Sequence, residues 1–259
     1  MTLARFFRTP KGLLILILSG LIVLAAFGES TTRVVESVVA ASVASMAVDA
    51  VILRVRRRRW HFPDGALLTA MLVTMVLSPR QPVYVTTVTA VLGVVTKYLV
   101  RVRKANVFNP AALGLVATFY VFHTAQSWWG ALPEIAPVGL LVLVVAGLYE
   151  TQRVNRVPSM LAFLGSYYAL FTTTAFAGDP ARVAEVYRAP DLHAALFFAF
   201  FMVTDPPTSP PRPRDQIVYG AIAGVVSYAA FELLGAAYFL LAGVLVANTY
   251  AAWRRRTRG

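Results

Sequence analysis

The polar residues best able to do chemistry in this chain gather at two breaks in apolar sequence. The stretch "KANVFNPAALGL", residues 104–115, sets Asn106 and Asn109 directly ahead of Pro110. Proline suits the first turn of a helix, where its missing N–H costs nothing. Asn109 then falls at the N-cap, with a side chain able to accept from an orphan amide. The stretch "FFMVTDPPTSP", starting at Phe200, closes an apolar run with Thr204, Asp205 and Thr208. Asp205 is there either a solvated turn residue or, with the two hydroxyls, the lining of a polar cavity at a helix break. A carboxylate at a helix C-terminus meets the negative end of the dipole, which raises the cost of its own charge and favours a bound cation or proton. No serine–histidine–acid set, phosphate-cradling glycine loop or metal-spaced cluster is visible, so the residues alone compel no enzyme.

The elements that position these residues are set by the solvent. Of the 259 residues, 58% are hydrophobic and 14% charged, whereas a soluble domain carries about 45–50% apolar and about 25% charged residues. Apolar runs recur from end to end, which is the pattern of one polytopic all-α membrane domain over residues 1–259. The absence of cysteine excludes disulfides, thiolate zinc sites and cysteine-ligated iron–sulfur clusters. The net charge of +12 sits in short loops beside apolar runs, as in Arg54 to Arg59 and Arg254 to Arg256, which marks membrane anchoring and not nucleic-acid binding.

Ten spans are expected, at 12–28, 34–53, 64–78, 83–100, 107–123, 134–149, 158–177, 191–204, 216–234 and 236–253. The first also has the shape of a signal peptide, with Arg5, Arg8 and Lys11 ahead of it, and reads as a retained span. With both termini in the cytoplasm, the outer segments hold only Arg33, Arg80, Arg182 and Arg188, and all other lysines and arginines lie inside.

Two stretches resemble each other. "PDGALLTAMLVTMVLSPRQP" from Pro63 and "PDLHAALFFAFFMVTDPPTSPPRP" from Pro190 both open on Pro-Asp, run through a short apolar segment and close in a proline-rich turn. They are the third and eighth spans, so they cross in opposite directions. This predicts an inverted five-plus-five repeat, with repeat one at about 12–123 and repeat two at about 134–253. Both segments fall short of the roughly 20 residues of an upright crossing. Paired short segments of this kind point to a site near the midplane. Among the acids, Asp49 and Glu232 lie moderately deep in spans. Trp128 and Trp129 in "QSWWGALP" read as an aromatic belt, or alternatively as a stacking platform for a planar ring.

Three ordered motifs resemble a known family. "KYLVRVRKANVFNPAALGL" is similar to the segment K-x8-N-x-F-N-P-A of the RnfD/NqrB family, which comprises membrane components of Rnf-type electron-transport complexes and of the sodium-pumping NADH:quinone reductase. It supplies Lys97, Asn106, Phe108, Asn109, Pro110 and Ala111. "DGALLTAMLVT" from Asp64 and "FFMVTDPPTSP" resemble two further family segments. The resemblance implies a fold similar to urea transporters, transmembrane electron transfer coupled to ion movement, and flavin cofactors (riboflavin or FMN). It implies partner redox subunits that bind flavin or iron–sulfur clusters, and a bacterial inner-membrane location. By the same resemblance Asn106 and Asn109 become candidate contacts to the flavin ring; with Lys97, Phe108, Trp128, Thr204, Asp205 and Thr208 they make up the candidate cofactor contacts. An Asn amide offers both a donor and an acceptor to the mixed edge of an isoalloxazine ring. The family's Ser-Gly-Ala-Thr attachment motif is missing from "HTAQSWWGALPE", where Thr124 stands alone, so a flavin here is expected to be non-covalent. The competing expectation is a channel or transporter for a small urea- or riboflavin-like solute on the same fold.

Overall fold

A computed structural model describes residues 3–27, 31–57, 61–103, 105–178 and 184–257. Arg58, Arg59, Lys104, Arg182 and Arg258 of the charge pattern lie outside the described residues. The helices are α1 Leu3–Phe7, α2 Pro10–Ala26, α3 Thr31–Arg57, α4 Asp64–Val76, α5 Val83–Leu99, α6 Pro110–Phe122, α7 Val138–Arg153, α8 Val157–Ala177, α9 Asp191–Phe198, α10 Pro213–Leu234 and α11 Phe239–Thr257. A helix stands at each of the ten expected places. The strands β1 Arg101–Val102 and β2 Ala105–Asn106 form an antiparallel hairpin ahead of α6, pairing Arg101 with Asn106 and Val102 with Ala105. Two starts are corrected. α6 begins at Pro110 instead of 107, because residues 105–109 serve the hairpin and its exit. α7 begins at Val138 instead of 134, after a 3-10 turn at Pro133–Ile135.

Length separates the helices into two kinds. α3, at 27 residues, spans about 40 Å at 1.5 Å per residue, more than the roughly 30 Å hydrocarbon core. α3, α8 and α10 are each long and apolar enough to cross a membrane. α4 and α6 have 13 residues each and reach only about 20 Å. α9 has 8 residues and continues into a π-helical turn, Ala199–Val203. The Thr204 hydroxyl at its end donates back to the Phe200 carbonyl. Wide turns of this kind re-aim side chains inside helices.

The large exposed apolar side chains lie on helix flanks, among them Val39, Val43 and Val51 of α3, Leu141 and Val145 of α7, and Leu161 of α8. Such a surface fits helices that face lipid. Interiors carry small and polar residues beside large buried side chains such as Phe163, Tyr167 and Phe171. The chain is a multi-pass helical membrane protein.

It divides into two compact units. The first comprises Met1–Leu99 and Pro110–Leu132. Within it α5 and α6 cross closely: a Cβ at Gly114 would lie 2.7 Å from the Thr89 carbonyl oxygen. The Thr89 hydroxyl donates to that of Thr118 at 3.0 Å. The turn after α6 packs back on α4: Ser78 N–H donates to Ala125 O, and Ser127 and Trp128 N–H both donate to Val76 O.

The second unit comprises Val100–Asn109 and Pro133–Gly259. α10 is its hub, packed against α8 and α11. Its "GAIAG" face, Gly220 to Gly224, lets backbones meet, the small-xxx-small device of helix packing in lipid. A Cβ at Gly220 would sit 2.2 Å from Ser159 O, and one at Gly224 2.1 Å from Ser166 Oγ and 2.9 Å from Phe163 O. Backbone oxygens cannot swing away. Gly220→Val is expected to lower the melting temperature sharply in detergent or to prevent monodisperse purification. Gly165→Ala, where an added Cβ meets nothing within 4 Å, is expected to be neutral or to stabilise by up to about 1 kcal/mol through helix propensity. Scanning fluorimetry of both variants reads the difference, and equal melting points would refute the close crossing.

Candidate functional site

In the second unit a polar network forms where the chain leaves the β-hairpin. Asn109 is 2% exposed and directly precedes α6. Its backbone N–H precedes the helix and needs an acceptor from elsewhere. Asn248 Oδ1 on α11 accepts it at 2.8 Å. The other half of that carboxamide, Nδ2, donates to the Tyr219 hydroxyl on α10 at 2.9 Å. Asn248 and Tyr219 are fully buried. Seven residues, two helical turns, beyond Asn248, Arg255 lies near the same face of α11. Its Nη1 donates to the Asn106 carbonyl at 2.8 Å. Asn106 thus enters through its backbone, and the hairpin is tied to α11 by both of its asparagines.

A second group surrounds Asp205. Thr208 Oγ1 donates to Asp205 Oδ2 at 2.7 Å. The backbone oxygen of Asp205 accepts from Ser209 N at 2.9 Å and from Ser209 Oγ at 2.8 Å. Ser209 Oγ in turn accepts from Arg156 Nε at 2.8 Å. Arg156 Nη1 ties the α7–α8 turn by donating to Val154 O and Asn155 O. Burial pulls the Arg156 guanidinium below its usual value, and the neighbouring charge of Asp205 acts against that. Arg255 feels Asp205 and Tyr219 electrostatically. Two guanidiniums, one carboxylate and one phenol therefore share a poorly solvated region.

Among the described residues, the buried atoms here without a hydrogen-bond partner include Arg255 Nη2, a donor, and Gln216 Oε1, an acceptor. Gln216 Nε2 is spent on Asn155 O and Pro211 O. A buried unpaired polar atom costs about 1–3 kcal/mol and asks for an explanation such as a ligand or water.

Asn106, Asn109, Thr204, Asp205 and Thr208 all belong to this second unit, and Phe108 lies half-buried between the two asparagines. Lys97 and Trp128 belong to the first unit. Lys97 Nζ is 2.6 Å from Asp49 Oδ1. Trp128 is 8% exposed in a left-handed backbone conformation, and the Trp129 indole donates to Thr74 O at 2.6 Å. Thr124, Gln126 and Ser127, in the turn before them, carry buried polar atoms without partners. Sequence reasoning missed Tyr219, Asn248, Arg156, Ser209 and Arg255. A signal was present for Asn248, an unpaired amide inside the apolar run "LLAGVLVANTY". Tyr219 offered none.

Fold and site define a multi-pass helical protein built from two units, each containing helices too short to cross, with polar side chains concentrated at their ends. The NQR2, RnfD, RnfE family model matches residues 9–136 and, again, residues 134–253. The chain belongs to that family. It is similar to one subunit of the proton-translocating ferredoxin:NAD(+) oxidoreductase complex of Clostridium ljungdahlii, 22% identical over 245 residues that cover 74% of this chain and 72% of the relative. One subunit of an ion-translocating oxidoreductase complex of Sodalis glossinidius is 25% identical over 280 residues, covering 81% and 80%. The corresponding protein of Haemophilus influenzae is 29% identical over 106 residues, a match to 40% of this chain and only 26% of that relative.

Asn248→Leu keeps similar bulk but strips the Asn109 N–H of its acceptor and Tyr219 of its donor. It is expected to destabilise by about 2–4 kcal/mol, one to two lost buried bonds. Asn248→Asp keeps the acceptor alone and should fall between. Thermal unfolding in detergent checks the order; a wild-type melting point for Asn248→Leu would remove the network from its structural role.

Proposed function

We propose that the chain is a membrane subunit of an ion-translocating oxidoreductase complex, passing electrons between partner redox subunits through a non-covalently bound flavin. The observation that carries this reading is the family match over both halves of the chain. The double match and the paired short helices α4 and α9 also support an inverted repeat. The one-sided placement of lysine and arginine supports both termini in the cytoplasm of a bacterial inner membrane.

The residues fit a flavin. Its ring edge carries carbonyl oxygens that accept and an imide N–H that donates. The unpaired Arg255 Nη2 donor and Gln216 Oε1 acceptor are of the matching kinds. Thr124 is 2% exposed, and a phosphoester there would bury a phosphate, which argues for non-covalent binding. When bound, the flavin supplies electron transfer, and the protein supplies binding, orientation and electrostatic tuning. In this reading Arg255 and Arg156 favour negative charge near the site, Asp205 offsets part of it, and the Asn109–Asn248–Tyr219 network holds the two helices and the hairpin at fixed spacing.

Purification in mild detergent followed by a visible spectrum is expected to show a flavin band. Arg255→Gln should weaken flavin retention about tenfold or more, the equivalent of losing one charge-assisted hydrogen bond of about 1.5–3 kcal/mol. Arg254→Gln should not, because Arg254 is committed to Asp215 at 2.8 Å. A colourless, folded preparation sinks the flavin reading. Uptake of a small polar solute by such colourless protein in liposomes would favour transport instead.

A further inference from the structure

The first unit holds a buried ion pair that electron transfer does not use. Asp49, on α3, is 2% exposed. Its Oδ1 lies 2.6 Å from Lys97 Nζ and accepts from the Tyr98 hydroxyl at 2.5 Å. The buried face of α3 that leads to it repeats every three or four residues as Val34, Ser37, Ala41, Ser45 and Asp49. In a helix otherwise clothed in exposed valines, that is where large apolar residues would pack best. Ser45 is fully buried one turn from Asp49, and its hydroxyl has no partner; the Ser42 hydroxyl has none either. Unfilled hydrogen-bonding capacity therefore lines the approach to a buried carboxylate, and an ionisable group within a membrane helix marks an ion or proton pathway by default.

The other side of the pair leads toward water. Lys97 Nζ lies 3.6 Å from the Cβ position of Gly65, which has no side chain to block it. Next to Gly65 is Asp64, at the start of α4 and 28% exposed, paired with the half-exposed Lys11 at 2.7 Å. Asp64 attracts the Lys97 ammonium and Lys11 repels it. A further charge nearby, among the described residues, is the Arg56 guanidinium, 4.9 Å from the Tyr98 ring centre.

We propose that Asp49 is a proton-exchange site, reached along the serine face of α3, with Lys97 as its movable counter-ion. The carboxylate takes one proton from a hydronium or protonated water chain, forming an O–H bond and releasing water. Lys97 keeps its own proton and turns from the neutral Asp49 toward Asp64; the return of the proton to water reverses both. No electron moves. A proton fits better than a metal cation, because an ammonium and a phenol already crowd the same carboxylate oxygen. Tyr98 and Lys97 are positioning residues in this scheme. The inference goes beyond the electron-transfer reading and stands without it.

The test uses the full chain in liposomes and infrared difference spectra as the buffer is stepped down from neutral pH. The expected result is a protonated-carboxyl C=O band, shifted in D2O, that is lost in Asp49→Asn while flavin content stays at the wild-type level. Should that single variant fail to fold with Lys97 left uncompensated, Asp49→Asn combined with Lys97→Gln removes both charges and must lose the same band. Ser45→Val should fold at least as well as wild type, since it deletes an unpaired buried hydroxyl, yet slow the appearance of the band after a pH jump several-fold. A band that survives loss of Asp49, or unchanged kinetics in Ser45→Val, overturns the proposal and leaves the pair as a structural tie. A colourless wild-type preparation that shows the band would count against the electron-transfer reading only.

Discussion

A polar group inside a hydrocarbon slab cannot borrow a water molecule, so each break in a helix must be closed by a side chain brought from elsewhere. The buried amide of Asn109, at the entry to α6, faces the same constraint. It precedes α6, whose first residue, Pro110, has no N–H to offer. The acceptor comes from α11, in the last part of the chain. Asparagine suits the position because its carboxamide can accept from that backbone and, from its other half, donate to Tyr219. The second bond cannot form unless α10 and α11 approach closely. A Cβ at Gly243 on α11 would come within 2.4 Å of Ala223 O on α10. Small residues at the crossing and a polar pair beside it are thus one arrangement: the first permits the contact, the second gives it a direction.

Most of the helical framework was legible in the sequence because lipid imposes a length. Runs of apolar residues bounded by proline, glycine and arginine placed all ten helices to within a few residues, and the short third and eighth runs stood out against the lipid thickness. The hairpin at residues 101–106 was not legible. Its strands have two residues each, too few for an alternation to show, and it is held by Arg255 on Asn106 as much as by its own ladder. The same tie is one of the contacts that group residues 100–109 with the second unit.

The candidate site was legible in half. Motif residues at helix breaks announced themselves, since Asn, Asp and Thr are conspicuous in an apolar run. Their partners did not. Tyr219 is an unremarked aromatic in a span, Ser209 sits in a proline-rich turn, and Arg156 and Arg255 look like any anchoring charge at a membrane edge. What sets the last two apart is what they reach, which only packing reveals: buried Arg156 bonds Ser209, and half-buried Arg255 bonds the Asn106 carbonyl. Arg254 and Arg255 are neighbours of identical type, yet one pairs with Asp215 and the other reaches a backbone carbonyl. A residue type and a spacing can nominate a site, but the division of labour among adjacent charges is decided by which face of the helix each occupies.

The two units also spend buried charge differently. In the second, Arg254, Asp215 and Tyr250 form a pair-and-phenol set at a helix end, where Arg254 is 20% exposed and water shares the load. In the first, Asp49, Lys97 and Tyr98 form the same chemical set farther from water, with Asp49 nearly sealed. A buried ion pair is a weak source of stability, since desolvating two charges offsets most of their attraction, and an apolar replacement of the same size is often as stable. Stability alone therefore does not account for Asp49 on a face that could have packed as leucine against α4 and α5. The neighbouring unpaired serines sharpen the point, because an uncompensated hydroxyl in a packed interior is a cost that alanine would avoid at the same position. A fold that carries both costs side by side on one helix face is arranged for something other than holding its helices together.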